Sequence, residues 1–93
     1  MDFDIIKSKI VSVAEKYQVK SILLFGSRAE GTYKEDSDFD LIVEFFHSVS
    51  LLTLAELKFD LEDIFGKKVD LIHGPVREDD MIEVGRTVEL YAA

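Results

Sequence analysis

The sequence predicts an α/β (α+β) fold, a small sheet of about four strands with helices packed against it. Segments of helical periodicity alternate with short β-rich apolar runs, and no repeat or low-complexity stretch interrupts them. The 93 residues suffice for one thin core, so residues 1–93 read as a single domain.

The elements follow in order. Phe3, Ile6, Ile10, Val13, Ala14 and Tyr17 form one stripe at three- and four-residue steps, which predicts a helix from Phe3 to Tyr17 with Asp2 placed to cap it. Ser21 to Phe25 is a buried strand that stops at Gly26, and the polar stretch from Glu30 to Ser37, with Gly31, is a loop. A second strand runs from about Asp38 to Phe45. Leu51, Leu54, Leu57, Leu61, Ile64 and Phe65 repeat at helical spacing as a core-packing stripe, closed by Gly66 as a left-handed cap. Lys67 to Ile72 reads as a third strand, broken by Gly74 and Pro75. A short helix over about Val76 to Val84, a turn at Gly85-Arg86 and a last strand around Thr87 to Tyr91 complete the chain.

Composition narrows the function. With 47% hydrophobic and 32% charged residues the chain is an ordinary globular protein and not a disordered one. Its net charge of −8 disfavours nucleic-acid binding through a basic surface. An acidic chain still binds a nucleotide when divalent ions carry the positive charge, so metal dependence is the feature to seek. The absence of cysteine removes disulfides, thiolate zinc sites and cysteine nucleophiles. Apolar runs such as Ile22 to Phe25 are too short to span a membrane, and the acidic start at Asp2 and Asp4 lacks the form of a secretory signal. The expectation is a cytoplasmic protein.

The chemistry concentrates in Leu24-Phe25-Gly26-Ser27-Arg28-Ala29-Glu30-Gly31 and Asp36-Ser37-Asp38-Phe39-Asp40-Leu41. A strand that ends in Gly-Ser and enters a helical turn offers backbone N–H groups and a hydroxyl at one point, a donor set suited to phosphate. Gly26 lets the backbone approach a ligand closely, and Ser27 adds its hydroxyl and amide. Gly26 and Gly31 have P-loop spacing, but Thr32 and Tyr33 stand where Lys and Ser/Thr are required, and no dinucleotide G-x-G-x-x-G is present.

Asp38 and Asp40, two apart on the second strand, point to one face with Cα atoms roughly 6 to 7 Å apart. Carboxylates so placed converge on hard cations, Mg²⁺ or Mn²⁺, and two-ion sites clamp the attacking and leaving oxygens of a phosphoryl displacement. A third carboxylate is supplied by Asp70, which interrupts Val69-Asp70-Leu71-Ile72; if the third strand lies beside the second, Asp70 reaches the same face as metal ligand and general base. Without cations, Glu35, Asp36, Asp38 and Asp40 repel one another. Arg28 either neutralises a phosphate or pairs with Glu30, Glu35 or Asp36. Ser37 stands where it could touch a nucleotide, although shaping the turn is its simpler role. His47 and His73 lack partners at metal spacing and read as loop or surface residues.

Gly26-Ser27, ten intervening residues, Asp38-x-Asp40 and a later strand Asp together resemble the nucleotidyltransferase superfamily that contains DNA polymerase beta. The short form, with Gly-Ser-Arg-Ala, Gly31 and Ser37-Asp38-x-Asp40-Leu41, is similar to the minimal nucleotidyltransferases, the MNT or MntA-like antitoxins, over nearly the whole chain. The resemblance implies a mixed sheet flanked by helices, ATP with Mg²⁺ as donor, and transfer of a nucleoside monophosphate with release of pyrophosphate. It implies that Gly26 and Ser27 hold the triphosphate, that Asp38 and Asp40 bind both metals, and that Asp70 completes the triad. The implied partner is a HEPN-domain RNase toxin encoded alongside, which family members adenylylate on tyrosine. Where many relatives have a second Arg this chain has Glu30. A runner-up is a non-catalytic antitoxin that covers its partner. Because 93 residues cannot supply extra elements for base and acceptor, a homo-oligomer or hetero-complex is expected.

Overall fold

The computed structural model describes residues 3–32, 34–35, 37–74 and 86–93. The expected cap Asp2, Pro75, the helix over Val76 to Val84 and Gly85 lie outside the described residues, as does Asp36.

Helix α1 (Phe3–Lys16) buries Ile6, Ile10 and Ala14, the four-residue steps of the stripe, while Val13 and Tyr17 pack at its margin. It ends one residue earlier than expected because Gln18 turns into the left-handed region at φ 56° and redirects the chain. Strand β1 (Val19–Phe25) then begins two residues ahead of the expected start, since Val19 already pairs with Phe45. After the one-turn helix α2 (Ser27–Glu30) and a loop comes β2 (Phe39–Phe45), which Asp38 precedes instead of opening.

Helix α3 (Leu51–Phe65) has the predicted bounds. Ser50 caps it by accepting a 3.2 Å bond from the Thr53 amide, and Gly66 closes it at φ 67° with its N–H on the Glu62 carbonyl, 2.8 Å away. Leu57, Leu61 and Phe65 are buried, but Leu51 is not core: it is 85% exposed. Leu51 lies about 120° round the helix from Leu57, at its very first turn, so its spacing put it in the stripe although the core does not extend beneath it.

Strands β3 (Val69–His73) and β4 (Val88–Ala92) complete a four-stranded sheet of order β3-β2-β1-β4. β1 is antiparallel to both neighbours and β2 is parallel to β3, so the sheet is mixed, with α3 as the crossover that a parallel pair requires. Both long helices share one core with Val19, Ile22, Leu24, Phe39, Leu41, Val43, Phe45 and Val69. Asp40, Ile42 and Glu44 alternate onto the opposite face of β2. Ile42 is nonetheless only 3% exposed, and Gly74, whose amide bonds the Val43 carbonyl at 2.7 Å, passes close over it. Among the described residues no helix is long and apolar enough to cross a membrane.

Candidate active site

The site forms at one end of the three strands β1, β2 and β3. At the end of β1, Phe25 is the register partner of Asp40, which brings the following bend against the Asp40 side chain. Gly26 has φ 75° and ψ −156°, a conformation open essentially to glycine alone. A Cβ at this position would also fall onto the Asp40 carboxylate. Two independent constraints therefore require glycine here.

Ser27 opens α2. The Gly26 carbonyl accepts from the amides of Ala29 and Glu30, each at 3.1 Å, and Gly31 ends the turn in the left-handed conformation at φ 80°. A helix does not use its first amides internally, so those of Ser27 and Arg28 are what the bend has to offer a ligand.

The carboxylates meet across the parallel pair. Asp40 and Asp70 are direct register partners, on strands that neighbour each other at about 4.8 Å. Asp38 stands two residues before Asp40, exposed at the mouth of β2. Burial, then the negative charges of Asp70 and Asp38, then a hydrogen bond with Asp70 push the Asp40 carboxyl above its ordinary value. The three side chains sense one another, although among the described residues no three His, Asp or Glu groups are already arranged as a metal cage. Their donor set, all carboxylate oxygen with excess negative charge, fits a hard divalent cation.

Arg28 has a task that sequence spacing did not disclose. Its Nη2 donates to the backbone carbonyls of Ser37 at 2.9 Å and Glu35 at 3.1 Å, and its guanidinium lies 4.4 Å above the Phe39 ring. Phe39 in turn stacks on Phe65 at 4.3 Å. A continuous stack thus runs from the end of α3 to the loop, holding the segment that delivers Asp38. The clue in the sequence was an Arg followed by a polar loop and then an aromatic between the two aspartates. Ser37 shapes the turn: its Oγ accepts from the Lys34 amide at 2.8 Å, and its own amide donates to the Lys34 carbonyl at 3.0 Å. His47 is exposed beyond β2, and His73 lies edge-on to Phe45 on the face of β3 opposite Asp70, so neither joins the carboxylates.

The chain is similar to known proteins over most of its length. A family profile for a nucleotidyltransferase domain matches residues 6–87. A chain of Methanocaldococcus jannaschii, named as a candidate protein adenylyltransferase, is 44% identical over 72 residues, 77% of either chain. The protein adenylyltransferase MntA of Thermococcus cleftensis is 45% identical over 58 residues, 62% of this chain and 59% of that one. Among solved structures, a candidate minimal nucleotidyltransferase superposes with a TM-score of 0.73 at 29% identity, covering 95% of each chain. Two more share the fold. One is a toxin–antitoxin structure with AMP-PNP, at TM-score 0.74 and 22% identity over 94% of this chain and 73% of that one. The other holds a tri-AMPylated Shewanella oneidensis HEPN toxin in complex with an MNT antitoxin, at TM-score 0.69 and 18% identity over 99% of this chain and 74% of that one.

Proposed function

The chain belongs to the nucleotidyltransferase domain family and is an enzyme of that class, and from that premise we propose that it transfers AMP from ATP to a tyrosine of a HEPN-domain RNase toxin, acting as its antitoxin. The observation that carries this reading is the Asp40–Asp70 register pair set against the Gly26-Ser27 bend. The AMP-PNP structure and the AMPylated toxin complex among the fold relatives support donor and acceptor respectively.

In this reading the Gly26-Ser27 bend binds the triphosphate through amides and the Ser27 hydroxyl. Asp38, Asp40 and Asp70 would hold Mg²⁺ or Mn²⁺, which when bound supplies positive charge against the phosphates. Asp70, the more exposed of the register pair, takes the proton of the incoming hydroxyl. The hydroxyl oxygen bonds to the α-phosphorus, the bond from that phosphorus to the bridging oxygen breaks, and pyrophosphate leaves with the electron pair. Arg28 is a positioning residue that keeps the Asp38 loop in place. We place the activity in the cytoplasm, in one minimal domain whose cleft is completed by the toxin or by another copy.

A second reading, neutralisation by cover alone, draws on the exposed apolar side chains of Leu51, Leu52 and Phe59. Labelled ATP, Mg²⁺ and the HEPN protein encoded alongside separate the two. Transfer predicts a labelled toxin with the chain and none with Asp38→Asn or Asp40→Asn, both of which lose neutralisation. A toxin that stays unlabelled yet neutralised, by these variants as well, would establish cover alone.

A further inference from the structure

The parallel ladder between β2 and β3 starts one residue before the Phe39–Val69 pair. The Phe39 amide donates to the Lys68 carbonyl at 2.9 Å, so Lys68 already runs extended beside Asp38. Val69 is fully buried against the helices and Leu71 packs on the same core, so strand alternation puts Lys68 on the other face, with Asp70. Asp38 and Asp40 flank the buried Phe39 and share that face on β2. The site therefore has a two-by-two plan: Asp40 beside Asp70 and, two residues nearer the open end, Asp38 beside Lys68.

Lys68 is exposed, and among the described residues no carboxylate lies within ion-pair distance of its ammonium. Glu62, close by at the end of α3, accepts instead from the Val69 amide at 3.0 Å. Arg28 gives its guanidinium to the loop carbonyls of Glu35 and Ser37. The strand order then fixes the side on which Lys68 acts. The phosphate-binding bend ends β1, and Lys68 precedes β3, two strand spacings or about 10 Å across the sheet. In-line displacement puts the leaving and attacking groups on opposite sides of the phosphorus. With pyrophosphate held at the bend, the attacking oxygen arrives from the β3 side, where Lys68 and Asp70 stand two residues apart on one face.

We propose that Lys68 is a further catalytic residue of the transfer: its ammonium donates a hydrogen bond to the attacking oxygen while Asp70 takes the proton from that oxygen. The proposal rests on the transferase reading above and adds the group that stabilises the nucleophile. The O–H bond breaks with its proton passing to Asp70 and its electron pair staying on oxygen. That pair forms the bond to the α-phosphorus, and pyrophosphate leaves with the pair of the bond that breaks. A phenol has an ordinary pKa of about 10 and a carboxylic acid one of about 4, so negative charge gathers on the oxygen during the transfer. Asp38 and Asp70 repel that charge. A cation fixed beside them offsets the repulsion, and its contact strengthens as the charge develops, which lowers the barrier more than it tightens binding.

The test uses labelled ATP, Mg²⁺ and the same HEPN protein as acceptor, with the transfer rate read in a single turnover at saturating substrates. Lys68→Met keeps the apolar stem and removes the charge. Its rate should fall by about tenfold or more, with the KM for ATP and for the HEPN protein within about twofold. Lys68→Arg keeps a cation and should recover most of the rate. Lys58→Met makes the same change in net charge on α3, at the helix-covered side of the sheet, and should stay within about twofold of wild type. A HEPN protein carrying fluorotyrosine has a more acidic phenol, so the gap between wild type and Lys68→Met should narrow with it; a merely structural defect would keep the gap. A Lys68→Met variant as fast as wild type, an arginine variant no better than the methionine one, or a gap that fluorotyrosine leaves unchanged would each overturn the proposal. The two levels fail differently: wild-type transfer with an unimpaired Lys68→Met removes this proposal alone, whereas a wild-type chain that labels nothing removes the transferase reading and this proposal with it.

Discussion

The two faces of β2 have opposite energetic signs. Toward the helices it presents Phe39, Leu41, Val43 and Phe45, all buried in one apolar core. One residue away, on the other face, Asp40 is half-buried beside two more carboxylates, and its pKa is raised by that burial and by their charge. The first face lowers the free energy of the folded chain; the clustered carboxylates at the start of the second raise it, and in the proposed function they are of use only with a cation and a phosphate present. Stability and activity are therefore separable by substitutions at adjacent positions along one strand.

The widest separation is expected for Asp40→Asn. Transfer should fall by about 10²–10³-fold or more, as when a preorganised electrostatic contact is lost. The same change removes the repulsion, so the metal-free protein should melt a few degrees higher, about 0.5–1 kcal/mol more stable. A lower melting temperature would break the comparison, because the acidic face would then be contributing to the fold. Leu57→Ala should do the reverse: it costs about 2–5 kcal/mol, seen as an early midpoint in urea, with kcat of the remaining folded protein little changed.

Gly26→Ala tests the seam between the two faces. Its Cβ meets Asp40 and its φ is unfavourable, so we expect a loss of about 1–3 kcal/mol and a weaker ATP-dependent rise in melting temperature. The smallest effect should be Tyr17→Phe, far from the site. The Tyr17 hydroxyl donates to Asp60 at 2.6 Å, tying the end of α1 to α3, and its loss should cost about 1 kcal/mol or less. That bond, followed by burial, raises the Tyr17 pKa above its ordinary 10.0. The stabilisation is complete below the unfolded pKa and is lost as pH rises through the folded one, so wild type and Tyr17→Phe should converge in strongly alkaline urea titrations.

The parts of the molecule governed by short stretches of chain were legible in advance. Ile6, Ile10 and Ala14 mark α1 because helical periodicity repeats within a few residues, and Gly66 closes α3 by chemistry local to its end. Gly26, Ser27, Asp38 and Asp40 stood out as a spaced pattern along one segment. Leu51 misled because periodicity says which residues share a stripe but not how far the partner surface extends beneath it. Arg28 was left between two roles because its partners are backbone carbonyls seven and nine residues away, and any residue can supply a carbonyl.

By itself, then, the sequence determined the elements that the structure describes, the sign of the net charge and which residues were candidates for the site, all properties carried by side-chain type and near-neighbour spacing. Only the tertiary structure decided that Asp70 sits opposite Asp40 and that the Gly26 bend touches the Asp40 carboxylate. The second depends on the register of β1 against β2, the first on strand register across a crossover of more than twenty residues. A shift of one residue in that register would leave every local pattern unchanged while turning Asp70 to the other face.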